Sequence, residues 1–348
     1  MRVLSIGTDA SIFEPSSAPR ARQRAYAKEF GQMDIVILTK TSQELVHEEH
    51  LSLFPAESSS PLTRLFRAYR VACTLAKPDV VTVQDPFETG LVGLFVARHL
   101  GVPLHIQVHT DFLSPEYARH SLLNRTRILI AGFVLRRASR IRVVSERIKA
   151  GIEARYKPQK NIAVLPIFVD IEKFKNAQPI SGDTFIDSHQ PNLLVVARNT
   201  PEKNIALAID AFKRVAPKGA GLLITGEKDA IQALAGDDNR VRAINTMDPS
   251  RYYKSADLVL VPSVYEGYGL VIIEGLAAGK PVLSTDVGIA REAGAIVTSP
   301  EKFADALAEW FKSGPRTGEL KNYPYKNFDE YVRAYAEDIR ACVQKGEK

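Results

Sequence analysis

Apolar runs of strand length alternate with helix-length segments from end to end of this 348-residue chain, and that alternation constrains its fold more than any other feature. Runs at 3–7, 34–38, 80–84, 104–109, 141–144 and 162–166 form a first set, and runs at 193–197, 222–226, 241–245, 258–262 and 282–284 form a second. Short apolar runs separated by helical segments predict parallel sheets wrapped by helices, because parallel strands need long crossovers and are buried on both faces. Between the sets, residues 176–191 are polar, contain Pro179, Gly182 and Pro191, and show no clear periodicity. They read as an interdomain linker. The length is comfortable for two cores. The expectation is an α/β chain with a first domain over 1–178, a second over 179–325, and a C-terminal amphipathic helix within 326–348. Two doubly wound sheets facing one cleft would bring the carboxyl ends of both strand sets to a shared site.

Composition bounds the class. A hydrophobic content of 45% and a charged content of 25% are those of an ordinary soluble globular protein. Cys73 and Cys342 are far apart and read as reduced thiols in a cytoplasmic setting. The first residues already read as a core strand rather than a leader, and the longest apolar run, 128–135, is too short to span a bilayer.

The charge is uneven. Residues 1–178 carry 25 Lys and Arg against 17 acids, a net of +8, so the remainder sums to −2. Twelve basic residues and only Glu146 and Glu153 as acids lie between Arg119 and Lys160. Within this band, Arg125, Arg127, Arg136 and Arg137 bracket the apolar centre 128–135. Such a helix can lie on an anionic membrane surface, peripheral to the inner face. It can equally pack on the first sheet with solvated ends, since its centre is apolar all round. No nucleic-acid recognition module is visible, so no nucleic-acid partner is expected.

The segment Tyr265-Glu-Gly-Tyr-Gly-Leu-Val-Ile-Ile-Glu274 follows the apolar run 258–262 and leads into helical composition that stops at Gly279, before Pro281. The order is strand, glycine turn, helix. Free N–H groups at such a helix start, backed by the positive end of its dipole, suit a phosphate. Glu266 falls in the turn and Glu274 inside the helix. Two solvated glutamates on a plain turn are one alternative. A glycosidase acid and base pair, facing each other across roughly 5 to 9 Å, is another.

Two further strand ends carry candidates. Arg198 follows the run 193–197 and Lys203 opens the next helix. A guanidinium fork and a mobile ammonium suit a pyrophosphate leaving group, whereas the dipole disfavours idle cations at a helix start. His109 closes the run 104–109 just before Asp111, while His105 reads as a core or interface residue.

The Glu266-to-Glu274 spacing, together with Pro281-Val-Leu-Ser-Thr-Asp-Val-Gly288, resembles the E-x7-E element of glycosyltransferase family 4, retaining enzymes of the GT-B fold with two Rossmann-like domains facing a cleft. Arg198 and Lys203 resemble its R-x4-K element, and His109-Thr-Asp111 its H-T-D-F-like loop. The resemblance implies that Gly267, Tyr268, Gly269 and Leu270 hold the diphosphate of a UDP- or GDP-sugar with Arg198 and Lys203. It implies that Glu274 bonds the ribose, and that Glu266 and His109 meet the transferred sugar. It implies no metal and no cofactor. The amino terminus departs from the pattern: Thr8 to Arg24 replaces a Gly-Gly loop, and Ile167 and Phe168 replace an Asn-Gly pair. Arg20, Asp85 and Asp111 are expected acceptor contacts, for a sugar or lipid acceptor. The expected activity is metal-independent transfer of a hexosyl group to an acceptor hydroxyl with retention. A GT-B sugar-nucleotide epimerase and a non-catalytic nucleotide-sugar binder are the alternatives.

Overall fold

The computed structural model describes residues 1–157 and 162–344, so Lys160, which ends the basic band, and residues 345–348 of the expected last segment lie outside the described residues. The chain divides into two compact units, one formed by 1–166 with 327–348 and the other by 167–326.

The first unit holds strands β1 (Arg2–Gly7), β2 (Gln32–Thr39), β3 (Val46–His47), β4 (Leu51–Glu57), β5 (Val80–Val83), β6 (Leu104–Val108), β7 (Arg140–Val143) and β8 (Ile162–Val164). They form one sheet in the order β3-β4-β2-β1-β5-β6-β7-β8, parallel except for the short β3. Every residue of β5 and β6 is buried. Because successive side chains alternate faces, this requires helices on both sides. Helices Pro61–Thr74, Glu88–Leu100 and Leu122–Leu135 pack side by side, while Ala18–Phe30 packs with Phe328–Val343.

The second unit holds β9 (Asn192–Val195), β10 (Gly221–Thr225), β11 (Val241–Ile244), β12 (Leu258–Val261), β13 (Val282–Thr285) and β14 (Ile296–Thr298). Their order is β11-β10-β9-β12-β13-β14, all parallel. Leu193, Leu222, Ile224, Leu258 and Leu260 pack there with Phe212 of helix Ile205–Val215 and with Phe303, Leu307 and Trp310 of helix Phe303–Ser313.

Three strands escaped the sequence pattern: β3, β4 and β14. β4 carries Pro55, which pairs with Ile37 on one side and lies beyond the residues that β3 covers on the other, so its missing N–H breaks no bond. The boundary expected at 178 also shifts, to 166. Residues 176–191 are not a free linker, because Asp183 caps helix Thr184–Ser188 and is gripped by Arg242 Nη1 and Nη2, each at 2.8 Å. Polar composition there serves capping and an ion pair within the second unit.

Helix Phe328–Val343 belongs to the first unit, against β5 and β6. A buried polar network fastens it. His105 Nε2 meets Asp338 Oδ2 at 3.0 Å and Arg140 Nε donates to Asp338 Oδ1 at 2.6 Å. With Nε2–H donating, His105 Nδ1 accepts the Thr82 hydroxyl, 2.8 Å away. Fully buried Arg142 donates to Gln107 Oε1 at 2.8 Å and to the Tyr331 hydroxyl at 3.0 Å, with its guanidinium over the Tyr335 ring. His105 is thus an internal bonder.

Burial lowers the pKa of His105. For Asp338, burial acts upward, but the hydrogen bonds and charges of His105 and Arg140 outweigh it and hold the carboxyl below its usual range. Folding therefore lowers proton binding at both groups, and acid favours the unfolded chain. Stability of the first unit is expected to fall as pH drops through about 6.5 and further as Asp338 protonates. Asp338→Asn, which strands Arg140 without its counter-ion, is expected to cost about 3 kcal/mol in urea denaturation. An unchanged urea midpoint would show that the network does not fasten the helix.

Candidate functional site

Parallel pairing of β12 with β9 sets the loops that follow them beside each other at the carboxyl ends of the strands. After β9 the chain runs through exposed Arg198 into a short turn, Pro201–Lys203, closed by Asn204 in the left-handed region at φ 47°. After β12 it runs through Ser263 and Glu266 to Gly269, which caps helix Leu270–Ala277. The Val264 N–H donates to Glu202 O at 2.8 Å and joins the two loops.

Lys203 and Glu266 meet there. Lys203 Nζ lies 2.5 Å from Glu266 Oε1, and Ser263 Oγ donates to the same oxygen at 2.8 Å. Both charged side chains are mostly shielded from solvent. Ser263 is fixed in turn, because Thr285 Oγ1 of β13 donates to its carbonyl at 2.5 Å.

The helix start has its own constraints. Gly269 sits at φ +94°, and a Cβ there would lie 2.9 Å from Ile272 Cδ1. The loop after β13 closes on the same turn: Ile289 N–H donates to Tyr268 O at 3.0 Å, and any side chain at Gly288, φ +51°, would collide with that carbonyl. Gly267 and Tyr268 are buried, and Leu270 is exposed. The first N–H groups of a helix have no intrahelical acceptor, so this end carries partial positive charge beside Lys203.

Glu274 lies one helical turn further on. The buried Tyr253 hydroxyl donates to Glu274 Oε2 at 2.6 Å, and the Tyr253 ring packs edge-on against Phe174. Burial raises the Glu274 pKa, partly offset by the Tyr253 hydrogen bond and by the charge of Lys173, which pairs with Asp248 at 3.0 Å. One carboxylate oxygen is held by protein, which leaves the other to accept hydroxyl donors.

In the first unit, His109 follows β6. Burial, then the positive charges of Arg142 and Arg22, push its pKa down to about 3, so the ring is neutral at physiological pH. Burial raises the pKa of nearby Asp111. Two expected acceptor contacts are occupied internally. Arg20 is buried, giving Nε and Nη2 to Glu48 Oε1 at 3.1 and 2.6 Å and Nη1 to Phe13 O at 3.0 Å. Hydrogen bonds from Arg24, then Arg20, hold Glu48 down at about 2. Asp85 Oδ1 accepts the Phe87 N–H at 2.7 Å and shapes the entry to helix Glu88–Leu100. Arg20 is thus tied to Glu48 and Phe13, and one Asp85 oxygen to the Phe87 N–H.

Sequence reasoning overlooked Ser263 and Tyr253. Ser263 stands three residues before Glu266, a spacing common in local capping. Tyr253 lies 21 residues from its partner and carries no local signal.

The chain matches two family descriptions, Glycosyltransferase Family 4 over residues 8–173 and Glycosyl transferases group 1 over residues 190–313. Alpha-monoglucosyldiacylglycerol synthase of Streptococcus pneumoniae is 27% identical over 244 residues, 63% of this chain and 55% of that one. The chain spans about half the length of the curated relatives that it matches. Sucrose-phosphate synthase from Thermosynechococcus elongatus superposes with a TM-score of 0.73 at 18% identity, over 99% of this chain and 94% of that one. Anabaena HepE in complex with UDP-glucose superposes at 0.67 and 18% identity, over 99% and 98%. At such identities the superpositions show a shared fold.

A ligand hydroxyl that donates to Glu274 needs the carboxylate ionised. Binding of a sugar nucleotide is therefore expected to weaken on acidification, with a midpoint above the ordinary glutamate value, and Glu274→Gln should flatten that dependence. Tyr253→Phe removes a bond that lowers the Glu274 pKa, so it should move the midpoint upward and weaken binding about fivefold. Calorimetric titration across pH tests this, and a midpoint that Tyr253→Phe leaves in place counts against it.

Proposed function

Because the chain belongs to family 4 of the GT-B glycosyltransferases, we propose that it moves a hexosyl group from a nucleotide-diphosphate sugar to an acceptor hydroxyl, with retention at the anomeric carbon. The observation that carries this reading is the convergence of Lys203 and Glu266 beside the glycine-led start of helix Leu270–Ala277. A diphosphate needs cations and N–H donors on one side, and a transferred sugar needs a polar acceptor next to them.

In this reading the bond between the anomeric carbon and the diphosphate oxygen breaks as the acceptor oxygen bonds to that carbon and passes its proton to an oxygen of the departing diphosphate. Arg198, Lys203 and the amides of 268–270 meet the charge that grows on the leaving diphosphate, a task that electrostatic preorganisation does well and that needs no metal ion. The Lys203 ammonium has three donors, so it can keep Glu266 while reaching a phosphate oxygen. Glu266, aimed by Ser263, positions the sugar. Glu274 anchors the ribose, and Gly267 gives the turn its close approach.

The likeness to a diacylglycerol glucolipid synthase supports a lipid acceptor. The fold neighbour bound to UDP-glucose makes UDP-sugars the first donors to test. No helix among the described residues is long and apolar enough to cross a membrane, and a lipid acceptor would be met at a membrane surface.

Thermal-shift profiling with UDP-, GDP- and ADP-sugars tests the donor site. Stabilisation by one of them is expected, and Lys203→Ala and Glu274→Ala should each weaken its binding at least about tenfold. Turnover that requires an added acceptor supports transfer. Turnover without one identifies an epimerase, and binding with no turnover in the presence of lipid and sugar acceptors identifies a binder. No stabilisation by any sugar nucleotide overturns the reading.

A further inference from the structure

Helix Leu122–Leu135 turns Ile128, Ala131, Val134 and Leu135 inward, which answers one of the two readings of its apolar centre. Its outer face is apolar as well. Leu122 is 77% exposed and Leu129 74%, with Leu123 and Phe133 also exposed. Leu122, Leu129 and Phe133 recur at helical spacing along one stripe.

Two further helices pack in series beside it. Pro61–Thr74 exposes Leu62 at 79% and Phe66 at 60%, and Glu88–Leu100 exposes Phe95 at 47%. These two helices meet in an open notch of about 350 Å³ lined by Leu65, Phe66, Tyr69, Leu91, Val92 and Phe95. Single exposed apolar residues need no explanation, but stripes on two helices joined across Phe95 of the helix between them do.

The charge around them is mostly positive. Pro61–Thr74 and Leu122–Leu135 contain no acid, and exposed Arg67, Arg70, Arg98, Arg125, Arg136 and Arg137 rim the face. Of the acids nearby, Glu88 and Glu116 are paired with Arg127 at 2.8 Å and Arg119 at 3.0 Å, and Glu57 lines a cleft with Arg67 and Arg70. Arg137 lies 3.9 Å from the centre of the Phe133 ring, so its stem and ring share one apolar surface while its charge reaches outward.

We propose that the outer face of these three helices docks on an anionic lipid surface, with Leu62, Phe66, Phe95, Leu122, Leu129 and Phe133 entering the acyl boundary and the arginine rim meeting lipid phosphates. Apolar side chains beside arginines that meet backbone carbonyls and rings are the combination that an anionic bilayer rewards on both counts, since insertion and charge attraction add. The notch between Phe66 and Phe95 admits an acyl-chain segment. Docking concerns where a lipid acceptor is met, and it is measured without any sugar donor, so its failure leaves the donor reading standing.

The test is co-sedimentation of the full chain with vesicles of phosphatidylcholine alone and of phosphatidylcholine mixed with phosphatidylglycerol. Binding to the mixed vesicles, weakened by salt, is expected, with much less binding to phosphatidylcholine alone. Leu122→Asp with Leu129→Asp, and separately Phe66→Asp, should each lower partition about tenfold or more. Arg136→Gln with Arg137→Gln should lower it on the mixed vesicles only. All substituted side chains are exposed, and an unchanged urea midpoint verifies folding. Absent binding to the mixed vesicles, equal binding to both kinds, or binding that survives both apolar variants overturns the proposal. Self-association that Leu129→Asp abolishes also overturns it, and makes the face an interface between copies of the chain.

Discussion

The parallel pairing of β12 with β9, Leu258 against Leu193 and Val259 against Leu194, is the constraint from which the candidate site follows. Parallel neighbours must release their following loops at the same sheet edge, and these two strands are adjacent although they are far apart in sequence. The loop after β9 carries Arg198 and Lys203, and the loop after β12 carries Ser263, Glu266 and Gly269. β13 extends the same edge, so Thr285 reaches Ser263, and the loop that contains Gly288 closes on Tyr268. An antiparallel neighbour would have put one of these loops at the opposite end.

The polar groups gathered there constrain one another. Glu266 accepts from both Lys203 and Ser263, and Glu274 accepts from Tyr253. Each carboxylate thus presents a defined geometry before any ligand arrives, which is how a site avoids reorganisation during reaction. The first unit uses buried polar groups for another end. His105, Arg140 and Arg142 bind the last helix through Asp338 and Tyr331, and low local dielectric makes such a network costly to leave half satisfied. His109 stands beside this network, and its neutral ring is a consequence of burial, then of the charges of Arg142 and Arg22.

Much of this was legible in local pattern, and the failures have physical causes. Core strands such as β5, β6 and β12 stand out because burial on both faces makes them continuously apolar. β4 hid behind Pro55, which is tolerated only because of what pairs on each side of it, and β14 is a short half-buried edge. Residues 176–191 look like a linker because capping, turn and ion-pairing residues have the same composition as disordered ones. Arg20 reads as an acceptor contact from sequence, and its bonds to Glu48 are visible only in the fold.

The amino-acid sequence by itself determined the two sets of parallel strands, the glycine-led helix start at Gly269, and the loops that bear Lys203, Glu266 and Glu274. Periodicity, breakers and helix-start chemistry act between near neighbours, so they are written locally. Only the tertiary structure decided that Lys203 meets Glu266 across 63 residues, that Tyr253 rather than solvent meets Glu274, and that Leu122–Leu135 has an apolar face left over after packing. Those outcomes depend on strand order and on which side of a helix its neighbours cover. Both are settled by the packing of distant segments, which no local spacing encodes.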